Sequence, residues 1–439
     1  MNIQPYRYML GALLLISTFP AMAQDTLQLA EAVKLGLENN FDIRIVRNSV
    51  EVAENNYSYR NAGFLPSLNA NAAITKEIQD TQQSFLDGRE QNANNAASTN
   101  IGTSATLDWT IFDGTRMFIE YEQLGVLRKA EATSAEITIE NTIAQISNAF
   151  YTVILEKAQM DVLEESLELS EERVQIAKTK YEVGRVSKLE YLAAQVDYNE
   201  DKSALIRQQE IFYTAKVNLN TLISLPPDHD FLVPGQIDPN LELEKESLQN
   251  SVLESNPNLL LAWQTQNLAY LEMKALKTDY YPTVALNAGY SYNSLEAEAG
   301  FVFLRRSNGA FYGLTGTWTI FDRFNRKREV QNALVQVETT ELEIERIKQS
   351  LLADLERSYI NYLNSVNLFQ LEQQNLEIAK ENAQIALERY RLGNSNALEL
   401  REAQINAVQA ESRLINAVYS TKIAEIELLR LSGQILSNA

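Results

Sequence analysis

The chain has 439 residues, 45% of them apolar and 22% charged, with 16 Gly, 9 Pro, no Cys and one His. That apolar content excludes intrinsic disorder, and the lack of Cys beside a single His excludes thiol chemistry and Cys- or His-rich metal centres. A formal charge of −20 makes a poor nucleic-acid binder, because phosphate contacts need clustered Lys and Arg.

Residues 1–23 read as a secretory signal. Arg7 supplies the positive n-region, Met9 to Ile16 the apolar stretch, and Ala21-Met22-Ala23 the cleavage site. The apolar stretch is too short to span a bilayer as a helix. No Cys follows it to carry a lipid anchor. Cleavage leaves 37 basic against 58 acidic residues, a net charge of −21. An exported chain without disulfides draws its stability from packing or assembly. No later run of 18 apolar residues occurs, which removes transmembrane helices but not a transmembrane β-barrel.

An internal duplication organises the rest. Trp109-Thr110-Ile111-Phe112-Asp113 recurs word for word at Trp318-Thr319-Ile320-Phe321-Asp322, 209 residues later. Tyr181-x-x-Gly184 recurs as Tyr390-x-x-Gly393 at the same offset, and Phe64-Leu65-Pro66 matches Tyr280-Tyr281-Pro282. The expected units are 24–225 (hairpin 66–112, long helices 115–225) and 242–439 (hairpin 282–321, long helices 325–432). A Pro/Asp-rich linker, 226–241, joins them; His229 reads as a plain residue of that loop.

Each unit opens with a helix-like stretch, broken in the second near Asn256-Pro257. Alternation of period two follows. Val284, Leu286, Ala288, Tyr290 and Tyr292 share one face, and Leu68, Ala70 and Ala72 begin the counterpart in the first unit. A polar stretch, Gln79–Ser98, reads as a long turn, with Asn293–Asn308 as its shorter equivalent. Returning strands place Ile101, Thr103, Ala105, Leu107, Trp109 and Ile111, and then Leu314, Gly316, Trp318 and Ile320, on the apolar face. From Thr115 to Glu182 there is no Pro and one Gly, Gly125. A helix of that length reaches roughly 100 Å. Its seam reads Ile139, Ile143, Ile146, Phe150, Val153, then Met160, Leu163 and Leu167, resuming at Val174, Ala177 and Tyr181. This is coiled-coil spacing. Gly184 and Gly393 end the long helices, and Ser187 with Glu190, and more loosely Asn396 with Glu399, cap the returning ones.

Four strands with one apolar face have two outcomes. They pack as a small soluble sheet on the helices, or the apolar face meets lipid while the polar face lines a lumen. Strands of about ten residues suit a tilted membrane strand, and Trp109 and Trp318 lie where an aromatic belt would sit. Four strands cannot close a barrel, and open sheet edges are forbidden in lipid, so the lipid reading requires several copies.

With its duplicated helix–hairpin–long-helix order, its Trp-Thr-Ile-Phe-Asp strand ends and its Tyr-x-x-Gly turns, the mature chain resembles the TolC-like outer membrane efflux protein family. The resemblance implies a mainly α fold with a β-barrel portion. Three chains would form a 12-stranded barrel in the outer membrane of a Gram-negative bacterium, continued by a periplasmic α-helical barrel. It also implies partners: a homotrimer, a periplasmic adaptor (membrane fusion) protein, an inner-membrane pump of RND, ABC or MFS type, and outer-membrane lipid. No nucleic acid, cofactor, metal or catalytic residue is implied.

Carried over by position, the periplasmic aperture and adaptor-docking tip comprises Tyr181, Gly184, Arg185, Lys188 and Glu190 in the first unit. In the second it comprises Tyr390, Gly393, Glu399, Arg401 and Glu402. Glu399 and Glu402 lie on one helical face, so threefold symmetry would gather six carboxylates into a cation-favouring ring; otherwise they are solvated coiled-coil positions. The tip departs from the family pattern in having Glu where Asp is usual and Ser395 where a basic residue can occur. Trp109 and Trp318 are the membrane-interface aromatics. Arg323, Arg326, Lys327 and Arg328 read as a solvated rim, or as contacts to anionic lipid. The function so implied is an exit duct for a tripartite efflux or type I secretion system; the alternative is an exported coiled-coil scaffold or adhesin without a pore.

Overall fold

The computed structural model describes residues 26–300 and 302–437; the expected signal segment lies outside the described residues. In the first half, helices α1 (Leu29–Asn39) and α2 (Phe41–Asn56) precede strands β1 (Ser67–Ser84) and β2 (Glu90–Phe112), then helices α3 (Arg116–Glu182) and α4 (Lys188–Leu222). The second half repeats the series with α5 (Lys245–Ser255), α6 (Pro257–Thr278), β3 (Thr283–Ala297), β4 (Leu304–Thr317), α7 (Asn325–Leu392) and α8 (Ala397–Leu431). None of the described helices is long and apolar enough to cross a membrane.

The break inside each opening helix pair is held by one residue type. Asn40 accepts from the backbone N–H groups of Asp42 and Ile43, and donates through Nδ2 to the Leu222 carbonyl at 2.8 Å. Asn256 repeats this with Asn258, Leu259 and, at 2.9 Å, Leu431. Each Asn therefore caps the start of one helix while satisfying a carbonyl at the end of another.

The strands form one antiparallel sheet in the order β1-β2-β3-β4. Its register gathers the expected apolar residues on one side: Leu68 opposes Leu107, Leu107 opposes Ala288, and Ala288 opposes Tyr312. In the single chain that side is bare, with Leu68, Ile74, Tyr312 and Leu314 exposed. Phe311 departs from the pattern and lies on the polar side, opposite Gly289. A Cβ there would meet its ring at 2.7 Å.

Two expectations about the strands are corrected. The polar stretch Gln79–Ser98 is not a long turn, because β1 and β2 absorb all of it except residues 85–89. The reversal uses Asp87-Gly88, with Gly88 at φ +88°, a turn that needs no apolar neighbours. Ladder hydrogen bonds are indifferent to side-chain polarity, so the strands run 14 to 23 residues, longer than the ten or so a membrane strand needs. The second correction concerns Trp318 to Phe321, which lie beyond the end of β4, whereas Trp109 to Phe112 lie inside β2. The difference follows from position: β2 has a neighbour on both sides, while β4 is an edge strand.

Helix α3 contains 67 residues, about 100 Å at 1.5 Å per residue. Around its middle, Ile143, Ile146, Phe150 and Val153 are buried against Val33, Phe212, Leu219 and Ile223 of α1, α4 and the turn that follows α4. Past Lys157 the seam departs from expectation. Met160, Leu163, Leu167 and Val174 are only half-buried, and the covered row is Val162, Ser166, Ser170, Arg173 and Ala177. The row turns polar because it faces ion-pair partners, described next.

Candidate functional site

At the strand–helix junctions the duplicated pentapeptide has a structural role in both copies. The indole N–H of Trp109 donates to the Phe64 carbonyl at 2.9 Å, and that of Trp318 to the Tyr280 carbonyl at 3.2 Å. Four residues on, Asp113 accepts from the Met117 backbone N–H at 2.9 Å and Asp322 from that of Arg326 at 2.8 Å. One end ties the strand to the segment before the hairpin, and the other caps the long helix. Arg326 is neither a solvated rim residue nor free for lipid. Its guanidinium is taken up by Asp322 at 2.9 Å and by the carbonyls of Asp279 and Thr319 at 2.7 and 2.6 Å. Arg323, Lys327 and Arg328 are exposed.

At the opposite end the long helices reverse through paired turns. Gly184 and Gly393 adopt φ of +72° and +80°. Arg185 N–H closes on the Lys180 carbonyl at 2.8 Å and Asn394 N–H on that of Arg389 at 2.9 Å, as in left-handed helix stops. The caps differ in quality. The Ser187 hydroxyl accepts from Glu190 N–H at 3.4 Å, and the Asn396 side chain from Glu399 N–H at 2.9 Å, so the cap read as looser is the tighter one.

Behind these turns lies an ion-pair cluster spanning both halves of the chain. Arg401 on α8 donates to both carboxylate oxygens of Asp201 on α4, at 2.8 and 2.9 Å. Asp201 also accepts from the Ser170 hydroxyl of α3. Arg173 of α3, only 2% exposed, donates to Asp197 at 2.7 Å, and Arg401 lies 3.9 Å from the same carboxylate. Burial pushes the Arg173 guanidinium below its ordinary value, and the Asp197 charge opposes that shift. Glu200 lies 3.9 Å from Arg401 on the solvent side, so two cations face three anions, with Arg173 buried and Asp197 partly open to water.

Tyr390 anchors a small apolar cluster beside these charges. It is buried with Ala386, Leu400 and Ala403. Lys180 crosses from the first unit to donate to its carbonyl at 2.8 Å, with the ammonium 3.7 Å from its ring. Burial and the negative charge of Glu190 push the Tyr390 hydroxyl upward. Glu399 is paired with Arg389 at 2.6 Å and accepts from the Ser395 hydroxyl at 2.7 Å. Tyr181 stacks on Tyr191, with ring centroids 6.1 Å apart. Arg185, Lys188 and Glu402 are exposed and, among the described residues, form no ion pair.

Arg401 is therefore the one expected tip residue drawn into the buried cluster. Arg173, Asp197, Asp201, Lys180 and Arg389 were missed from sequence. Asp197 and Asp201 stand four apart on α4, and Ser166, Ser170, Arg173 and Ala177 keep coiled-coil steps along α3. A search for periodic polar positions would have found both.

The matched residues of the family described as outer membrane efflux protein are 32–224 and 248–434. Among curated proteins, the chain is similar to the toluene efflux pump outer membrane protein TtgC of Pseudomonas putida. It is 21% identical over 415 residues, covering 92% of this chain and 82% of that one. It is also similar to the outer membrane efflux protein BepC of Brucella suis, 20% identical over 421 residues, covering 93% of this chain and 86% of that one. Among solved structures, the Campylobacter jejuni CmeC outer membrane channel matches with a TM-score of 0.74 at 15% identity, covering 99% of this chain and 94% of that one. The Neisseria gonorrhoeae MtrE outer membrane channel matches with a TM-score of 0.70 at 18% identity, covering 93% and 89%. These channels share the mainly α fold with a β-barrel portion.

Proposed function

The chain belongs to the outer membrane efflux protein family, and we propose that it is the outer-membrane exit duct of a tripartite efflux or type I secretion system. The observation that carries this reading is the sheet: four strands in linear order, two unpaired edges and one bare apolar side. Lipid covers the apolar side, and only further copies supply partners for β1 and β4. Three copies give 12 strands, wide enough for a water-filled lumen. The long helices of the three chains continue the tube into the periplasm. The duct conducts passively, carries out no bond chemistry, and relies on an inner-membrane pump and periplasmic adaptor for energy and choice of cargo. Exposed Val183, Leu189, Leu392 and Leu398 beside the Gly turns offer the adaptor an apolar docking rim.

At the tip, Glu402 is the carboxylate that favours cations, since Glu399 is neutralised by Arg389. The bare apolar sheet disfavours the alternative scaffold without a pore, which would be stable in plain buffer. Extraction and planar-bilayer recording test the duct. The mature protein should need detergent, crosslink as a trimer and conduct ions, with Glu402→Gln lowering the cation-to-anion permeability ratio more than Glu399→Gln. A detergent-free monomer without conductance would overturn the reading.

A further inference from the structure

Two fixed shifts relate the halves of the chain. Up to the first strand of the hairpin, residues recur 216 positions later, as Asn40 does at Asn256. From the returning strand onward they recur 209 positions later, as Trp109 does at Trp318. The sheet obeys both shifts: Ser67 opposes Asp108, and their equivalents Thr283 and Thr317 oppose each other. The helices, by contrast, differ in their surroundings. α6 lies between α3 and α7, whereas its equivalent α2 packs along α3 and leaves its other flank open. On the α3–α6 seam, Gln123 donates to Glu272 at 3.1 Å and Gln264 to Thr133 at 3.0 Å. The equivalents of these pairs are Asn332 with Asn56, and Asn48 with Leu342, on helices that do not pack together in the single chain. Val126 and Thr133 of α3 are buried, but their equivalents Val335 and Leu342 of α7 are 59% and 72% exposed. Ile45 and Val52 of α2 are likewise 61% and 58% exposed, although Leu261 and Leu268 at the same places in α6 are half-buried. Beside them an open groove of about 550 Å³ is lined by Ile45, Asn48, Val52, Leu124 and Leu127.

We infer that a second copy of this chain covers that flank in one defined register, its α7 lying along α2 as α3 lies along α6. Leu342 of one copy then meets Asn48 of the next, and Asn332 meets Asn56. The inference rests on the duct reading for the presence of several copies, and adds which surfaces meet and at what register. The sheet continues by the same rule. Ala105 opposes Tyr290, so Leu314 of one copy opposes Ile74 of the next; both are bare apolar residues in the single chain. The two kinds of helical seam differ in chemistry. Within the chain, Arg116 and Asp279 add an ion pair at 3.2 Å, where the seam between copies has Asn325 and Gly63. Contact between copies therefore depends on burying Leu342, Val335, Ile45 and Val52 rather than on charge. Each copy offers α7 to one neighbour and α2 to the other, a head-to-tail contact of the kind that closes a ring.

The chain has no Cys, so paired Cys substitutions in the mature protein, in isolated membranes, test the register. With a short bismaleimide, Asn48→Cys/Leu342→Cys and Asn56→Cys/Asn332→Cys should give covalent oligomers. Asn56→Cys/Leu342→Cys, displaced by roughly 12 Å along the helix, should link at least tenfold more slowly. Under oxidation, Ile74→Cys/Leu314→Cys should form a disulfide between copies, and Ile74→Cys/Ala310→Cys, four residues out of register, should not. Leu342→Glu should cut the trimer fraction at least tenfold with helix content unchanged, whereas Leu342→Thr, which copies Thr133, should assemble. If Leu342→Glu loses helix content, the Cys pairs still decide the matter. Matched pairs that link no faster than displaced ones overturn the inference, as does a folded Leu342→Glu that assembles like the parent. Where amine crosslinking still traps a trimer, that result leaves the duct reading standing; a chain that forms no oligomer at all overturns both.

Discussion

Arg401 and Asp201, 200 residues apart in the chain, meet through two parallel hydrogen bonds of 2.8 and 2.9 Å. The pair joins the returning helix of the second unit to that of the first, immediately behind the tip. Any separation of the two helical hairpins must break it.

Removing either partner deprives a mostly buried charge of its nearest counter-charge, and with Asp197 and Glu200 still 3.9 Å from Arg401 the cost should be about 3 kcal/mol at most. Arg401→Ala and Asp201→Ala should each lower the hydrogen-exchange protection of tip amides in α4 and α8, while leaving the sheet unaffected. The double variant should be less impaired than the sum of the singles, with a coupling of at least about 1 kcal/mol. Additive effects would show that the pair is energetically idle.

The two cap asparagines give a second test. Asn256→Asp keeps the acceptor for Asn258 and Leu259 but replaces the donor to the Leu431 carbonyl with an oxygen. The loss should be about 1–3 kcal/mol, read as a lower thermal midpoint. Asn40→Asp should behave alike through the Leu222 carbonyl. A variant as stable as the parent would remove the carbonyl contact from the account.

Gly114 and Arg323 occupy equivalent positions, and both have positive φ, +72° and +62°. A Cβ at Gly114 would lie 2.7 Å from the Thr278 carbonyl oxygen and 2.9 Å from the Tyr281 Cβ. Gly114→Ala should therefore destabilise by more than the roughly 1–2 kcal/mol typical of a left-handed side chain. Arg323→Gly, which relieves that strain, should stabilise by about 0.5–1 kcal/mol after the flexibility of Gly is counted. Chemical denaturation of the two variants checks the opposite signs.

Glu140 supplies the pH dependence. It is 4% exposed, and burial together with the Glu136 charge pushes its carboxyl up to about 7, against the pull of Arg430. Arg430 is itself held by Glu427 at 2.9 and 2.7 Å and by Asn141 at 3.2 Å. The folded chain thus holds this proton more tightly than the unfolded chain, whose carboxyl titrates near 4.5. The stabilisation is fully present below about pH 4.5 and is lost as pH rises through 7, by about 1.4 kcal/mol per unit at most. Glu140→Gln should flatten this part of the stability–pH profile and raise stability at pH 8. A profile unchanged by the substitution would discount Glu140 as the titrating group.

Much of the architecture was legible because it rests on periodicity and repetition. Alternating residues such as Leu107, Ala288 and Leu314 fall on one side of the sheet as read, and Gly184 and Gly393 stop the long helices. The polar hairpin Gln79–Ser98 was misread because strand pairing there has no apolar face to betray it; Asp87-Gly88 was the available signal. At the tip, Tyr390, Glu399 and Arg401 were recognisable by place, but their partners were not. Arg173, Asp197 and Asp201 look like the solvated charges that fill every coiled coil.

By itself, the order of residues determined the repeated unit, the lengths of its helices and the two-sidedness of its strands, since these depend on neighbours a few positions away. Only the folded arrangement decided which charges are buried. Whether Arg401 faces water or Asp201 depends on how four helices from two halves of the chain rotate against one another. Ion pairs form across distances in space that spacing along the chain does not encode.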